Sequence, residues 1–201
     1  MAPDTTKAFQ LIDAAHSEDP NKITIASQEL PYELHYAQLM TKYLLIHTPS
    51  PSPTVSTACR AQHFRRWETP RSSYPLGKAG YYSWRTYLKK LQAEQVKAVC
   101  LDCSYSEDEA NAVARLIAKE DLKRGNDTGD AEAQIVEDVA CLVFLDDQFD
   151  KFEEEHDEEK IVGILKKTWV KMGERGREVA LGGEMRLSER AREMVAKALS
   201  S

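Results

Sequence analysis

The stretch AEAQIVEDVACLVFLDDQFDKF, residues 131–152, decides the fold class of this chain. Its apolar side chains recur at helical spacing and thicken into an unbroken run from Val139 to Leu145, which is typical of a helix at the centre of a core. Asp130, directly before the stretch, is a residue type that favours the N-cap position. The segment therefore predicts a central core helix against which other elements pack.

Helical periodicity continues on both sides of this segment. It predicts helices over residues 32–46, 55–67 and 81–101, and Ser106 with Glu109 has the spacing of a capping box that opens another helix. An alternating KITI after Asn21 is compatible with a brief strand or a turn, and Pro31 suits a first helical position. With no repeat at a fixed period and no second apolar core in the sequence, we predict an all-α, single-domain bundle of about seven to nine helices over residues 1–201.

Composition excludes several classes of protein. The longest apolar runs are far shorter than the roughly 18–20 residues that cross a bilayer, so we expect no membrane protein. The N-terminal segment has no apolar core of a secretory signal, and we therefore expect a cytoplasmic location. The formal net charge of −6, from 27 basic and 33 acidic residues, argues against a dominant nucleic-acid surface.

Four cysteines lie inside apolar helical patterns, which predicts free and mostly buried thiols. Cys100 and Cys103 form a CxxC motif. For these two residues, the alternative to free buried thiols is a redox pair or half of a zinc site. The sequence has no second CxxC and no HxxxH to complete four ligands. We assign no metal ligand and no cofactor. Binding of a divalent metal is kept as an alternative.

Charge is unevenly distributed along the chain. Residues 59–90 contain eight Lys or Arg and one Glu, whereas residues 146–159 contain nine acids and one Lys. Guanidinium groups suit phosphate or carboxylate, and the aromatic rings between them supply stacking faces and a dry wall. The basic segment therefore predicts a concave site for an anion, whose candidate ligand-binding residues are Arg65, Arg66, Trp67, Arg71, Tyr74, Tyr81, Trp84, Arg85 and Lys89.

Acid–base chemistry is expected from one histidine and two acids. His63 lies in the basic segment, while Gln134, Glu137 and Asp138 share a face of the core helix at spacings of three and four. Acids beside so apolar a run need partners, and arginines or His63 are natural counterions that would shift their pKa values. We predict His63, Glu137 and Asp138 as catalytic residues and Gln134 as ligand-binding. The alternative is structural ion pairing between the same groups.

Several motifs resemble, in matching order, the family known as a domain of unknown function, DUF4202, of bacteria and fungi. They are PYEL, AQHFRRWETPRSSYP, GYYSWR, EDVACLVFL and KIVGILKKTWVKM, and the resemblance covers about residues 31–172. The family label implies no reaction. Some fungal members are labelled glutamyl-tRNA synthetase, and TWVKMGERG superficially resembles a KMSKS-type signature. Because no HIGH-like motif and no βαβ alternation is present, we do not predict an aminoacyl-tRNA synthetase.

The order of helices also resembles the HD-type metal phosphohydrolases, in which a His, a His–Asp doublet and a later Asp hold metal. Gln62 and His63 fall on the doublet and Tyr36 falls near the first His. The last Asp falls on residues 139–140 unless Asp138 takes its role. The resemblance implies an HD-like fold with a lost or rebuilt metal site.

Three functions remain as expectations. The first is a small enzyme or enzyme-derived domain that binds a phosphate- or carboxylate-bearing metabolite, hydrolase-like if the HD relationship holds. The second is a non-catalytic module that binds a nucleotide or RNA on the same surface, or regulates through it. The third is an interaction protein whose acidic residues 146–159 dock a basic partner. An anionic small molecule or nucleotide is the expected ligand, and the sequence does not determine an oligomeric state.

Overall fold

The computed structural model describes residues 2–120, 130–183, Met185, Leu187 and 189–200. The described chain is predominantly α-helical, which confirms the predicted all-α class. A π-helical segment, Phe144–Gln148, joins the helices Ala131–Val143 and Phe149–Glu154 without a break, and two short 3₁₀ helices are present at Arg66–Glu68 and Arg71–Ser73. The helices are α1 Thr5–His16, α2 Tyr32–His47, α3 Pro53–Arg60, α4 Lys78–Asp102, α5 Glu107–Ala118, α6 Ala131–Val143, α7 Phe149–Glu154, α8 Glu158–Lys171, α9 Glu174–Leu181 and α10 Glu189–Ser200.

One small hairpin interrupts the helices. Strand β1, Lys22–Ile25, pairs antiparallel with β2, Gln28–Pro31. Ala26 and Ser27 both have positive φ, 48° and 69°, as a two-residue turn that follows the twist of a hairpin requires. The KITI strand is confirmed, but Pro31 ends β2 and α2 begins one residue later, so the prediction of Pro31 as the first helical residue is wrong.

The residues group into two compact units. Unit 1 consists of Met1–Thr41 and Pro51–Asp121, and unit 2 consists of Lys42–Ser50 and Leu122–Ser201. The single-domain organisation over residues 1–201 stays a prediction.

In unit 1, α5 packs against α3 and α4, and α1 packs against α3 and α4. The predicted capping box is present, because the Ser106 and Glu109 side chains each accept a hydrogen bond from the backbone N–H of the other residue. The predicted helix over residues 55–67 is wrong at its end, since α3 stops at Arg60. The chain cannot stay helical beyond it because His63 and Arg65 have positive φ.

In unit 2, α6 packs against α8 and α9, and α8 packs against α10. Val139, Leu142 and Val143 on α6 are fully buried, which confirms the predicted core helix. Acids of the stretch 146–159 have basic partners within the unit: Arg190 on α10 pairs with Glu153 at 2.8 Å.

The four cysteines are free and buried, as predicted. Burial raises the pKa of the Cys59 and Cys100 thiols to about 12, so both are protonated at neutral pH and unreactive. The structure has no helix, among the residues it describes, with the length and apolar character that a membrane span requires.

Candidate functional site

The turn between α3 and α4 sets the position of His63 in unit 1. His63 and Arg65 adopt left-handed backbone conformations, with φ of 63° and 49°. Such a conformation costs a residue other than glycine roughly 1–2 kcal/mol. The buried Gln92 amide donates to the Phe64 carbonyl at 3.1 Å, and the Phe64 ring packs edge-on to His16. Buried contacts thus hold the turn in a strained shape, which is a feature of functional sites.

His63 contacts three side chains of unit 1. Its ring stacks on Tyr36 with the centroids 4.3 Å apart, and its Nε2 lies 2.8 Å from Arg66 Nη1. Because a guanidinium only donates, Nε2 accepts and the ring proton is on Nδ1. That Nδ1 lies 3.3 Å from Glu33 Oε2. The geometry is not that of a hydrogen bond, and these two buried atoms have no other hydrogen-bond partner among the described residues.

The charges around this pair are predominantly positive. Burial, together with the charges of Arg66, Arg85 and Lys119, holds the pKa of His63 well below its usual value. Burial raises the pKa of Glu33 to about 7, although Arg66 opposes this shift. Near neutral pH, therefore, His63 is uncharged, and Glu33, on which Arg66 and Asp19 act in opposite directions, is only partly ionised.

Two of the predicted ligand-binding arginines are engaged elsewhere in unit 1. Arg65 pairs with Glu18 at 3.1 Å and with Glu68 at 2.8 Å. Arg71 donates to carbonyl oxygens within the loop 74–77 and so braces that loop. Their guanidinium groups therefore serve local structure.

Arg66 and Arg85 differ from these two. Arg66 lies over the Trp84 ring, 5.0 Å from its centroid, and Arg85 lies 6.0 Å from the centroid of Tyr81. The Tyr81 and Trp84 rings are themselves 6.1 Å apart, so the four side chains form a continuous series. Apart from the bond to His63, neither guanidinium makes a hydrogen bond or ion pair with the part of the chain that the structure describes. Both keep donors for an anion.

The other predicted aromatic and basic residues surround this series. The Tyr74 ring lies 6.3 Å from the ring of Tyr87. Trp67 and Lys89 are half-buried, in the 3₁₀ turn before α4 and on α4 itself. Trp84 is buried and donates its indole N–H to the Thr69 carbonyl at 2.8 Å.

Asp138 lies in unit 2 and is hydrogen-bonded through both of its oxygens. Oδ2 lies 3.0 Å from His47 Nε2, and Oδ1 accepts from the Gly173 N–H and from the Gln134 amide, each at 2.7 Å. Gly173 is the N-cap of α9, so the carboxylate lies at the positive end of that helix. The group is buried and satisfied, as a structural carboxylate is.

The remaining contacts of this cluster also lie within unit 2. Glu137 pairs with Lys171 at 3.4 Å, and the Gln134 amide also donates to the Lys171 carbonyl. A Cβ on Gly176 would come within 2.6 Å of Asp138, so the α9 turn fits closely around the carboxylate. The joint catalytic role of His63, Glu137 and Asp138 stays a prediction, and the contacts favour a structural role for Asp138.

Sequence analysis missed Glu33 and Asp19 as members of the His63 cluster. The Glu33 backbone N–H donates to the buried Asp19 carboxylate at 3.0 Å, and the Asp19 charge contributes to the raised pKa of Glu33. An acid in the first turn of a helix is usually solvated, so its burial had no signal in the sequence. No group of three or more His, Cys, Asp or Glu that could hold a metal ion lies within the described ranges. The HD-like resemblance also stays a prediction.

Comparison with known protein families gives a match. A family model described as a domain of unknown function, DUF4202, matches residues 6–195. No curated protein and no solved structure matches the chain. The matched range includes both the His63 and the Asp138 clusters and extends beyond the expected residues 31–172.

Proposed function

Because the chain belongs to the DUF4202 family, whose description names no reaction, we propose a function from the His63 cluster: unit 1 binds a small molecule that carries a phosphate or carboxylate group. One observation carries the proposal. Arg66 and Arg85 flank the Trp84 and Tyr81 rings with donors that no described acid occupies. Their neighbour Arg65, by contrast, is paired with two glutamates.

Electrostatics supports an anion at this place. Arg66, Arg85 and Lys119 act on His63, while Glu33, whose Oε2 lies 3.3 Å from His63 Nδ1, resists ionisation. A planar guanidinium can form two parallel hydrogen bonds to a phosphate or carboxylate, and such charge-assisted bonds are about twice as strong as neutral ones. The buried Trp84 ring under Arg66 keeps water from one side of this guanidinium.

The Glu33–His63 pair supports proton transfer to or from the bound ligand. With its proton on Nδ1, facing Glu33, His63 keeps a lone pair on Nε2. A ligand anion that draws the Arg66 guanidinium toward itself would free this lone pair for general-base chemistry. In the fraction of molecules in which Glu33 is ionised, its carboxylate would then stabilise the imidazolium.

A thermal-shift screen of the full chain tests the binding proposal. We expect phosphate, sulfate or a phosphorylated metabolite to raise the melting temperature, since a ligand at 100 times its Kd stabilises a protein by about 2.7 kcal/mol. Arg66→Gln should abolish the shift. The matched control is Arg65→Gln, one residue away, whose guanidinium is already paired, and it should keep the shift. A shift that survives Arg66→Gln, or the absence of any shift across the panel, contradicts the proposal.

Turnover is tested separately, on the ligands that give a shift. Loss of product formation in both His63→Asn and Glu33→Gln, with ligand binding retained, supports the acid–base pair. If the wild-type protein binds the ligand but forms no product, the proposed anion site stands and the proposed proton transfer fails.

A further inference from the structure

The first half of α4 carries a line of basic and aromatic side chains, Lys78, Tyr81, Tyr82, Arg85 and Lys89, called here the α4 stripe. At about 100° per residue these positions fall within about 100° of the helix circumference. Tyr81 and Tyr82 are 43% and 56% exposed, although large aromatic residues are usually more buried. Both aromatic side chains are therefore partly exposed to solvent along one side of the helix.

Cations lie over these rings. Lys78 Nζ is 5.9 Å from the Tyr82 centroid, Arg85 is 6.0 Å from that of Tyr81, and the two rings are 5.8 Å apart. The sequence between Glu68 and Glu94 contains five Lys or Arg and no acid, so this segment supplies no counter-charge of its own to the stripe. With a rise of about 1.5 Å per residue, the stripe is roughly 16 Å long, which is the reach of several nucleotides rather than of one phosphate.

We infer that the α4 stripe binds a single-stranded nucleic acid, whose terminal phosphate is held by Arg66 and Arg85. The inference rests on the proposed function, because Arg85 belongs both to the anion site and to the stripe. A strand supplies a row of negative charge for the cations and flat bases for the exposed rings. An acidic peptide would match the cations but would leave the rings of Tyr81 and Tyr82 without a stacking partner.

Fluorescence anisotropy of a labelled, 5′-phosphorylated oligouridylate with the full chain tests this inference. Tyr82→Ala should weaken binding about fivefold or more, since a stacked base is worth about 1–3 kcal/mol and about 1.4 kcal/mol is tenfold. Lys78→Ser should reduce the slope of log affinity against log salt by about 0.7. The matched control is Tyr87→Ala: Tyr87 is 48% exposed on the same helix but about 140° from Tyr82, and its loss should leave affinity unchanged.

The outcomes separate this inference from the proposed function. If phosphate stabilises the chain through Arg66 but the strand does not bind, the inference fails and the anion site stands. Equal weakening by Tyr82→Ala and Tyr87→Ala, or equal competition by polyglutamate of the same charge, would also overturn it. If the strand binds through Tyr82 and Lys78 while Arg66→Gln and removal of the terminal phosphate have no effect, the stripe stands and the anion site fails.

Discussion

Each unit places a histidine beside a buried carboxylate, and the two pairs differ in how completely they are satisfied. In unit 2, His47 and Asp138 are hydrogen-bonded at 3.0 Å, and the other Asp138 oxygen accepts two further donors. In unit 1, His63 Nδ1 and Glu33 Oε2 are 3.3 Å apart without a hydrogen bond. We call the His63–Glu33 pair, which has no hydrogen bond, the open pair, and the hydrogen-bonded His47–Asp138 pair the closed pair. Buried polar groups are normally hydrogen-bonded, so the open pair needs an explanation and the closed pair does not.

The backbone shows the same contrast. His63 sits in a left-handed turn, whereas the α9 turn around Asp138 uses glycines where a side chain would collide with the carboxylate. The left-handed turn at His63 is the kind of backbone strain that ligand sites retain, whereas the α9 glycines let the backbone approach the Asp138 carboxylate closely, as a structural site does.

The largest effect is expected from Asp138→Ala. The substitution leaves His47, Gln134 and the Gly173 N–H without an acceptor in a buried place, so we expect a loss of about 3–5 kcal/mol in the free energy of unfolding. Urea denaturation measures it. Asp138→Asn, which keeps one oxygen, should cost less. A loss below about 1 kcal/mol for Asp138→Ala would show that the closed network is not structural.

Glu33→Gln should raise the free energy of unfolding at alkaline pH, whereas Asp138→Ala should lower it. The pKa of Glu33 rises from 4.5 to about 7 on folding, so between these pH values the folded state holds a proton that the unfolded state has lost. Stability therefore falls as pH rises through this window, by up to about 3 kcal/mol. A glutamine does not ionise, so Glu33→Gln should be more stable than wild type at about pH 8, and the gain should vanish near pH 4.5.

Urea denaturation across this pH range checks the Glu33 prediction. The pKa of His63 is lowered, so its contribution to stability is present above 6.5 and lost as pH falls. That contribution is common to both proteins and largely cancels in the difference between them. A difference that does not change with pH would contradict the account of Glu33.

Glycine substitutions should give smaller and opposite effects within unit 2. Gly176→Ala places a Cβ 2.6 Å from Asp138 and should cost about 1–3 kcal/mol. Gly163 is the matched control, because it lies inside α8 and a Cβ added there would meet nothing within 4 Å. Gly163→Ala should gain about 0.5–1 kcal/mol. Equal effects in urea denaturation would show that the α9 turn does not fit closely around the carboxylate.

The helical elements could be predicted because their signals are local. The periodicity over residues 81–101 predicted α4, which is observed as Lys78–Asp102. The capping box could be predicted from two residues, Ser106 and Glu109. The end of α3 could not be predicted, since the left-handed turn at His63 depends on tertiary contacts such as that of Gln92 with the Phe64 carbonyl. Strand β2, the partner of β1, was not predicted either, because residues 28–31 lack a strand pattern.

The candidate site could be predicted only in part. The segment rich in Arg and aromatic residues marked Arg66, Arg85 and His63 by composition alone. Composition could not distinguish Arg66 from Arg65, because the partners of Arg65 follow from the folded chain. Asp138 was correctly expected to need a partner, but His47, 91 residues away, had no signal that joined the two.

The most direct test of the open pair is calorimetry of sulfate binding near pH 7, in two buffers with different ionisation heats. Sulfate does not titrate in this range, and an anion at Arg66 should raise the pKa of Glu33 further. We therefore predict that binding takes up a fraction of a proton in the wild-type protein, that Glu33→Gln binds sulfate without this uptake, and that Arg66→Gln does not bind it. Sulfate binding that is unchanged by Arg66→Gln, or that shows no proton uptake in the wild-type protein, would contradict a ligand site at the His63–Glu33 pair.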